Sequence, residues 1–254
     1  MTRTISLNND NKKIKDIFTR VLKGHIAVAQ TNFKKINTIN KYIKSLSKKW
    51  LNIPLLSRTH GQAASPSTIG KELKVFTARI DRESIKLKQV KPLAKFSGAV
   101  GNYHAFDIAN NKINWPLFTK QFINTFGIMQ NPITTQIEPH DWITEALQTI
   151  SRINNIYTDL SLDMWIYISN EIFKLKVNSN EVGSSTMPHK VNPIDFENAE
   201  GNFGLSNSLN DFFANKLSRS RLQRDLSDST IQRNIGLSFA YSYIGLESLH
   251  KGIS

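Results

Sequence analysis

The chain has 254 residues, 39% hydrophobic and 21% charged, enough to bury a sizeable core and unlike a disordered composition. It contains no cysteine, which excludes disulfides, thiolate metal sites and a cysteine nucleophile. The net charge of +13 (33 Lys and Arg against 20 Asp and Glu) raises nucleic acid as a partner, yet the lysines are scattered among asparagine and isoleucine, as in "NKKIK" and "KKINTINKYIKSLSKK". With no aromatic-interleaved basic patch and no zinc-knuckle spacing beside them, nucleic-acid binding is not expected. No window is apolar enough for a membrane span, and "MTRTISLNNDNKKIK" lacks the apolar centre of a secretion signal, so the expected location is the cytoplasm.

From about Asn11 to Trp50, apolar residues recur every three or four positions, among them Ile14, Phe18, Val21, Ile26, Phe33, Ile36, Ile39 and Ile43. That spacing predicts one long amphipathic helix, which Gly24 weakens only slightly. Leu51 to Pro66 reads as a break, with two prolines and a glycine. Helix resumes after Pro66 with Ser67 as a candidate N-cap, and a glycine-rich connection, "SGAVGNYHAF", leads to a short helix over Trp115 to Phe126. Asp141 is a candidate cap for the next long helix, another is expected over Ile194 to Leu217, and a last one follows the polar segment "SRSRLQRDLSDST". Period-two alternation is almost absent. The expected fold is all-α: residues 1–254 form a central bundle of long helices with polar loops at their ends. Helices this long, striped with apolar residues throughout, need partners along their whole length, so self-association is expected.

Three loops concentrate polar side chains: "S-R-T-H-G-Q" (Ser57 to Gln62), "T-T-Q-I-E-P-H-D" (Thr134 to Asp141) and "E-V-G-S-S-T-M-P-H-K-V-N-P" (Glu181 to Pro193). Any one alone reads as a solvated turn, because glycine, serine, proline and asparagine are what turns are made of. Together, in this order, they carry a resemblance. "G-S-S-T-M-P-H-K-V-N-P" resembles the signature loop of the fumarase/aspartase superfamily, whose members eliminate fumarate from succinyl compounds. His189, with the "R-T-H-G-Q" and "T-T-Q-I-E-P-H-D" loops, is similar to the bacterial adenylosuccinate lyases of that superfamily.

The resemblance implies the superfamily's long-helix bundle, no cofactor and no metal, and a C–N lyase reaction on adenylosuccinate or SAICAR in purine biosynthesis. A proton beside a carboxylate is only weakly acidic, so such chemistry needs strong electrostatic stabilisation of the developing aci-carboxylate. Ser184 matches the family's general base, and Lys190 with a glycine-bounded loop would favour its alkoxide. His60 matches the general acid that protonates the leaving nitrogen. Substrate contacts are implied at Gln136, Ser185, Lys190, Val191, Asn192 and Asn198, with Lys190 and Asn192 on the succinyl carboxylates. Arg224, Ser229, Thr230, Ile231, Gln232 and Arg233 match the segment that grips the nucleotide side, in a stretch that would present donors where a helix begins.

The family assembles each site from three subunits of a homotetramer, which is the partner expectation here. It also carries an amino-terminal domain before the first long helix and a small helical domain after the last. Neither is read in this chain, and "TRTISLNND" does not reproduce the family's Thr-Ser pair and Arg-Tyr contact to substrate. Two alternatives stand beside the enzyme: a non-catalytic oligomerising remnant of a split or decaying lyase gene, and a basic helical RNA-binding protein.

Overall fold

The structure is a computed structural model describing residues 8–175 and 191–254, with side chains described from residue 29 onward within them. Five long helices dominate: α1 (Asn8–Lys49), α2 (Ile69–Gln89), α5 (Asp141–Ser169), α6 (Ile194–Leu217) and α8 (Ile235–Ile253). Contacts run α1 to α2, α2 to α5, α5 to α6, α6 to α8 and α8 back to α1, closing a ring. The remaining elements sit at its ends: a hairpin of β1 (Pro54–Thr59) and β2 (Gln62–Thr68), a parallel pair of β3 (Leu93–Ala94) and β4 (Met129–Gln130), and the short helices α3 (His104–Ala109), α4 (Trp115–Asn124) and α7 (Ser227–Gln232).

Helix periodicity located the long helices to within a few residues, but the segment 51–66 is not a mere break. It forms most of the hairpin, with Thr59 paired to Gln62 across His60 and Gly61. Both turn residues have positive φ (53° and 74°), the type I′ geometry whose twist matches the strands. Two caps also differ from expectation. Thr68, not Ser67, accepts the backbone N–H of Lys71 at the start of α2, while Ser67 donates to Glu72. Asp141 is the first helical residue of α5, and His140 occupies the cap position in a left-handed conformation (φ 66°).

Two apolar clusters fill the bundle, and α5, α6 and α8 contribute buried residues to both. One gathers Ile36, Ile43, Leu55, Ile69, Ile80, Tyr157, Phe196, Phe203 and Leu249, and the other Leu147, Ile150, Phe213, Leu217, Ile231, Ile235 and Phe239. Helix α5 enters the second cluster and ends in the first, and α6 runs the opposite way. At the α1–α2 crossing Gly70 is required for space, since a Cβ there would lie 2.3 Å from the Ser47 carbonyl oxygen and 2.5 Å from the Leu51 Cα. One set of polar groups in the core is paired across helices. Asn154 Nδ2 donates to Ser206 Oγ (3.1 Å) and Asn207 Oδ1 (3.0 Å), while Ser242 Oγ donates to Asn154 Oδ1 (2.9 Å). This ladder ties α5, α6 and α8 in one register, because sliding any helix would strand buried amides. No helix among the described residues is long and apolar enough to cross a membrane.

Candidate functional site

Ser184, Ser185, His189 and Lys190 lie outside the described residues. The other residues marked in the sequence divide between the two ends of the bundle. At the end where α5 finishes and α6 begins, the hairpin is anchored by Leu55 and Ile69 in the first cluster, and its tip presents His60, exposed to solvent. Val191 and Asn192 lead into α6 and Asn198 lies near its start, at that same end; Val191 and Asn198 are exposed and Asn192 half-buried.

At the opposite end the loop 131–140 and the segment 221–233 are welded together. The backbone N–H of Gln136 donates to the Gln223 carbonyl (3.2 Å), and Lys95 Nζ donates to the Gln136 carbonyl (2.6 Å). With its main chain held on both sides, Gln136 leaves its side chain exposed. Burial draws the Lys95 ammonium below the ordinary lysine range. Beside it, Gly101 (φ +88°) passes so close to Thr134 that a Cβ would lie 2.0 Å from its carbonyl oxygen, so the glycine-rich stretch seats the Gln136 loop.

Beneath this wall lie three polar groups to which the motifs assign no role: Glu138, His140 and Asp228. Arg224 Nη1 donates to Asp228 Oδ2 (2.9 Å), and Gln232 Nε2 donates to the same oxygen (3.0 Å). Glu138 accepts from Asn131 Nδ2 (3.0 Å) and from the His140 backbone N–H (2.8 Å). Burial works against ionisation of Glu138, but the hydrogen bonds from His140 and Asn131 outweigh it and hold the carboxyl below the ordinary range.

Ser229 is half-buried and Thr230 exposed, and Arg233 Nη2 lies 3.5 Å from Ser229 Oγ on the open side. The Ile231 side chain packs in the second cluster, so only its backbone can meet a ligand. Helix α7 spans six residues, too few to lend much field to an anion; positive charge at this end comes from side chains, among them Lys95, Arg224 and Arg233. No group of three or more His, Cys, Asp and Glu placed to hold a metal occurs among the described residues.

Helix α5, with 29 residues at about 1.5 Å each, sets roughly 40 Å between the hairpin base and the Gln136–Arg224 wall. No hydrogen bond or ion pair among the described residues joins the two groups. A polar cleft of about 370 Å³ between α5 and α6, lined by Gln148, Arg152, Asn207 and Asp211 among others, contains none of the residues marked in the sequence.

A bundle of five long helices with loops at both ends is a fold shared with a solved structure. The crystal structure of a fumarate lyase from Mesorhizobium sp. BNC1 superposes with a TM-score of 0.70 over 91% of this chain and 51% of that one, at 18% identity. A family model described as lyase matches residues 14–204, and the chain belongs to that lyase family. A second model, of the adenylosuccinate lyase C-terminal region, matches residues 220–254. Adenylosuccinate lyase of Legionella pneumophila (strain Corby) is 53% identical over 226 residues, 89% of this chain and 50% of its own length. That of Escherichia coli (strain K12) is 51% identical over 212 residues, 84% of this chain and 46% of its own. The chain spans about half the length of the curated relatives it matches.

Proposed function

We propose that the chain carries the central bundle of an adenylosuccinate lyase and works by β-elimination. Ser184, as alkoxide, takes the proton from the carbon beside a succinyl carboxylate, and the electron pair is held as an aci-carboxylate. Collapse of that pair forms the double bond of fumarate and breaks the C–N bond. His60 gives its proton to the departing nitrogen, leaving AMP from adenylosuccinate or AICAR from SAICAR. Lys190 and Asn192 hold the succinyl carboxylates, with Ser185, Val191 and Asn198 beside them. Gln136, Arg224 and Ser229 through Arg233 hold the nucleotide. The setting is the cytoplasm.

The observation that carries the reading is the weld between the 131–140 loop and the 221–233 segment. It brings Gln136, Arg224 and Gln232, all marked by the one family resemblance, onto one wall. The roughly 40 Å separating that wall from the His60 hairpin supports a second element of the proposal, that a complete site draws its two halves from different copies in a homotetramer. The outer face of α6 suits such packing. Ile194, Asn198, Gly201, Leu205, Ser208 and Phe212 are all exposed and fall at alternating intervals of four and three, the spacing of a helix–helix seam. The test is release of fumarate from adenylosuccinate by the chain, with and without the remaining length of a relative supplied. A folded chain inactive in both forms, yet assembled through the seam, would favour the non-catalytic remnant instead.

A further inference from the structure

We propose that His140 is a positioning residue: the charge of Glu138 fixes its tautomer, and the tautomer dictates how Gln232 and, through Asp228, Arg224 are presented on the nucleotide side. This deepens the reading above and rests on it for the word nucleotide; the hydrogen-bond logic stands without it.

The chain of contacts leaves one consistent assignment. Glu138 Oε2 lies 3.5 Å from His140 Nδ1, and a carboxylate only accepts, so Nδ1 carries the hydrogen. Nε2 of the neutral ring is then an acceptor. It sits 2.8 Å from Gln232 Nε2, which must donate. The other amide hydrogen of Gln232 goes to Asp228 Oδ2 at 3.0 Å, again to a group that only accepts. Both hydrogens are thereby committed inward, and what Gln232 offers a ligand is its carbonyl oxygen. Asp228 Oδ2 receives Arg224 Nη1 as well, so the same carboxylate sets the plane of the guanidinium and leaves its other donors for an anion. Opposite tautomers would set the Nε2 hydrogen against the amide hydrogens of Gln232 and release both residues from this arrangement.

Two further features fit a device built for position. Glu138 is ionised against its burial, held so by Asn131 and by the backbone of His140 itself. His140 also keeps a left-handed backbone at the start of α5, a conformation that non-glycine residues adopt rarely and that its N–H bond to Glu138 secures. The ring is thus aimed from both its backbone and its Nδ1 side, and Asp228, 3.6 Å from Nε2, closes the far side.

The test is ¹⁵N NMR of the full chain labelled in histidine, at about pH 8, above the ordinary histidine range. His140 is assigned by its loss in His140→Gln. The expected result is a neutral ring with hydrogen on Nδ1 and an acceptor-type Nε2, and loss of that single tautomer in Glu138→Gln. Hydrogen on Nε2 in the parent, or an unchanged spectrum in Glu138→Gln, overturns the proposal. A second arm titrates AMP by calorimetry. Glu138→Gln is expected to weaken AMP about tenfold, one charge-assisted hydrogen bond's worth, in a chain of unchanged helicity; equal AMP affinity in parent and variant also overturns it. A parent that binds no AMP counts against the nucleotide reading alone, and the tautomer measurement still decides this one.

Discussion

Gln136 and Gln223 are joined main chain to main chain, N–H to carbonyl at 3.2 Å, and this bond makes one wall out of two loops distant in sequence. The glycine-rich stretch beside it holds that wall in place.

Gly101→Ala should destabilise the loop much more than Gly127→Ala. Both glycines have positive φ (88° and 72°), so both variants meet the left-handed backbone cost of about 1 kcal/mol. Only at position 101 does the new Cβ also run into the Thr134 carbonyl, at 2.0 Å, whereas nothing lies within 4 Å at Gly127. The total at Gly101 should exceed roughly 2 kcal/mol, read as a lower thermal midpoint and faster hydrogen exchange over residues 131–140. Equal effects of the two variants would show that the contact does not seat the loop.

Glu83 should make stability pH-dependent with a defined sign. Burial opposes its ionisation, but hydrogen bonds from Lys86 Nζ (2.7 Å) and Arg152 Nε (2.8 Å) outweigh it and hold the carboxyl below its ordinary value of 4.5. A group depressed on folding adds stability above its unfolded pKa, and that stability is lost as pH falls through the folded one. Glu83→Gln should therefore cost roughly 2 kcal/mol at pH 7, with the gap closing below about pH 4 in thermal melts. A gap that widened on acidification would contradict the assignment.

The long helices were legible because their stripes repeat over many turns, which leaves no competing pattern for Ile36, Ile39 and Ile43. The hairpin was not. Its strands, "PLLSRT" and "QAASPST", carry small and polar residues and Pro66, without the β-branched alternation that marks a strand, and its turn uses His60–Gly61 in place of Asn-Gly. The caps failed for a related reason: neighbouring Ser67 and Thr68, or His140 and Asp141, are both capable, and the backbone angle decides between them. Gln136 and Arg224 were marked by motif, while Asp228 and His140 become partners only when the turn at His140 meets α7. No spacing in the sequence encodes that approach.

The α6 seam predicts an oligomer that a single charge dissolves. Leu205→Glu and Phe212→Glu each place a carboxylate in an exposed apolar row whose parent residues are 52% and 55% accessible in the single chain. Light scattering should show the parent as an assembly and either variant as a smaller species of unchanged helicity. A folded monomer in the parent would remove the seam and, with it, the shared site.

If His60 and Gln136 serve one site from different copies, two damaged chains should repair each other. His60→Gln and Gln136→Ala are each expected to lose about a hundredfold or more in turnover alone. Mixing them under conditions that let subunits exchange should restore part of the activity, because some sites then receive neither change. No recovery on mixing, with exchange demonstrated, would place both residues in a site built by one chain.

The most direct measurement is fumarate release from adenylosuccinate by this chain completed with the remaining length of a relative, run beside its Ser184→Ala variant. Removal of the proposed proton acceptor should abolish turnover, by about a hundredfold or more, and leave folding and much of the AMP binding intact. Parent activity lost in Ser184→Ala is the predicted result. Near-parental turnover in Ser184→Ala, or no fumarate from a folded and completed parent, would contradict it.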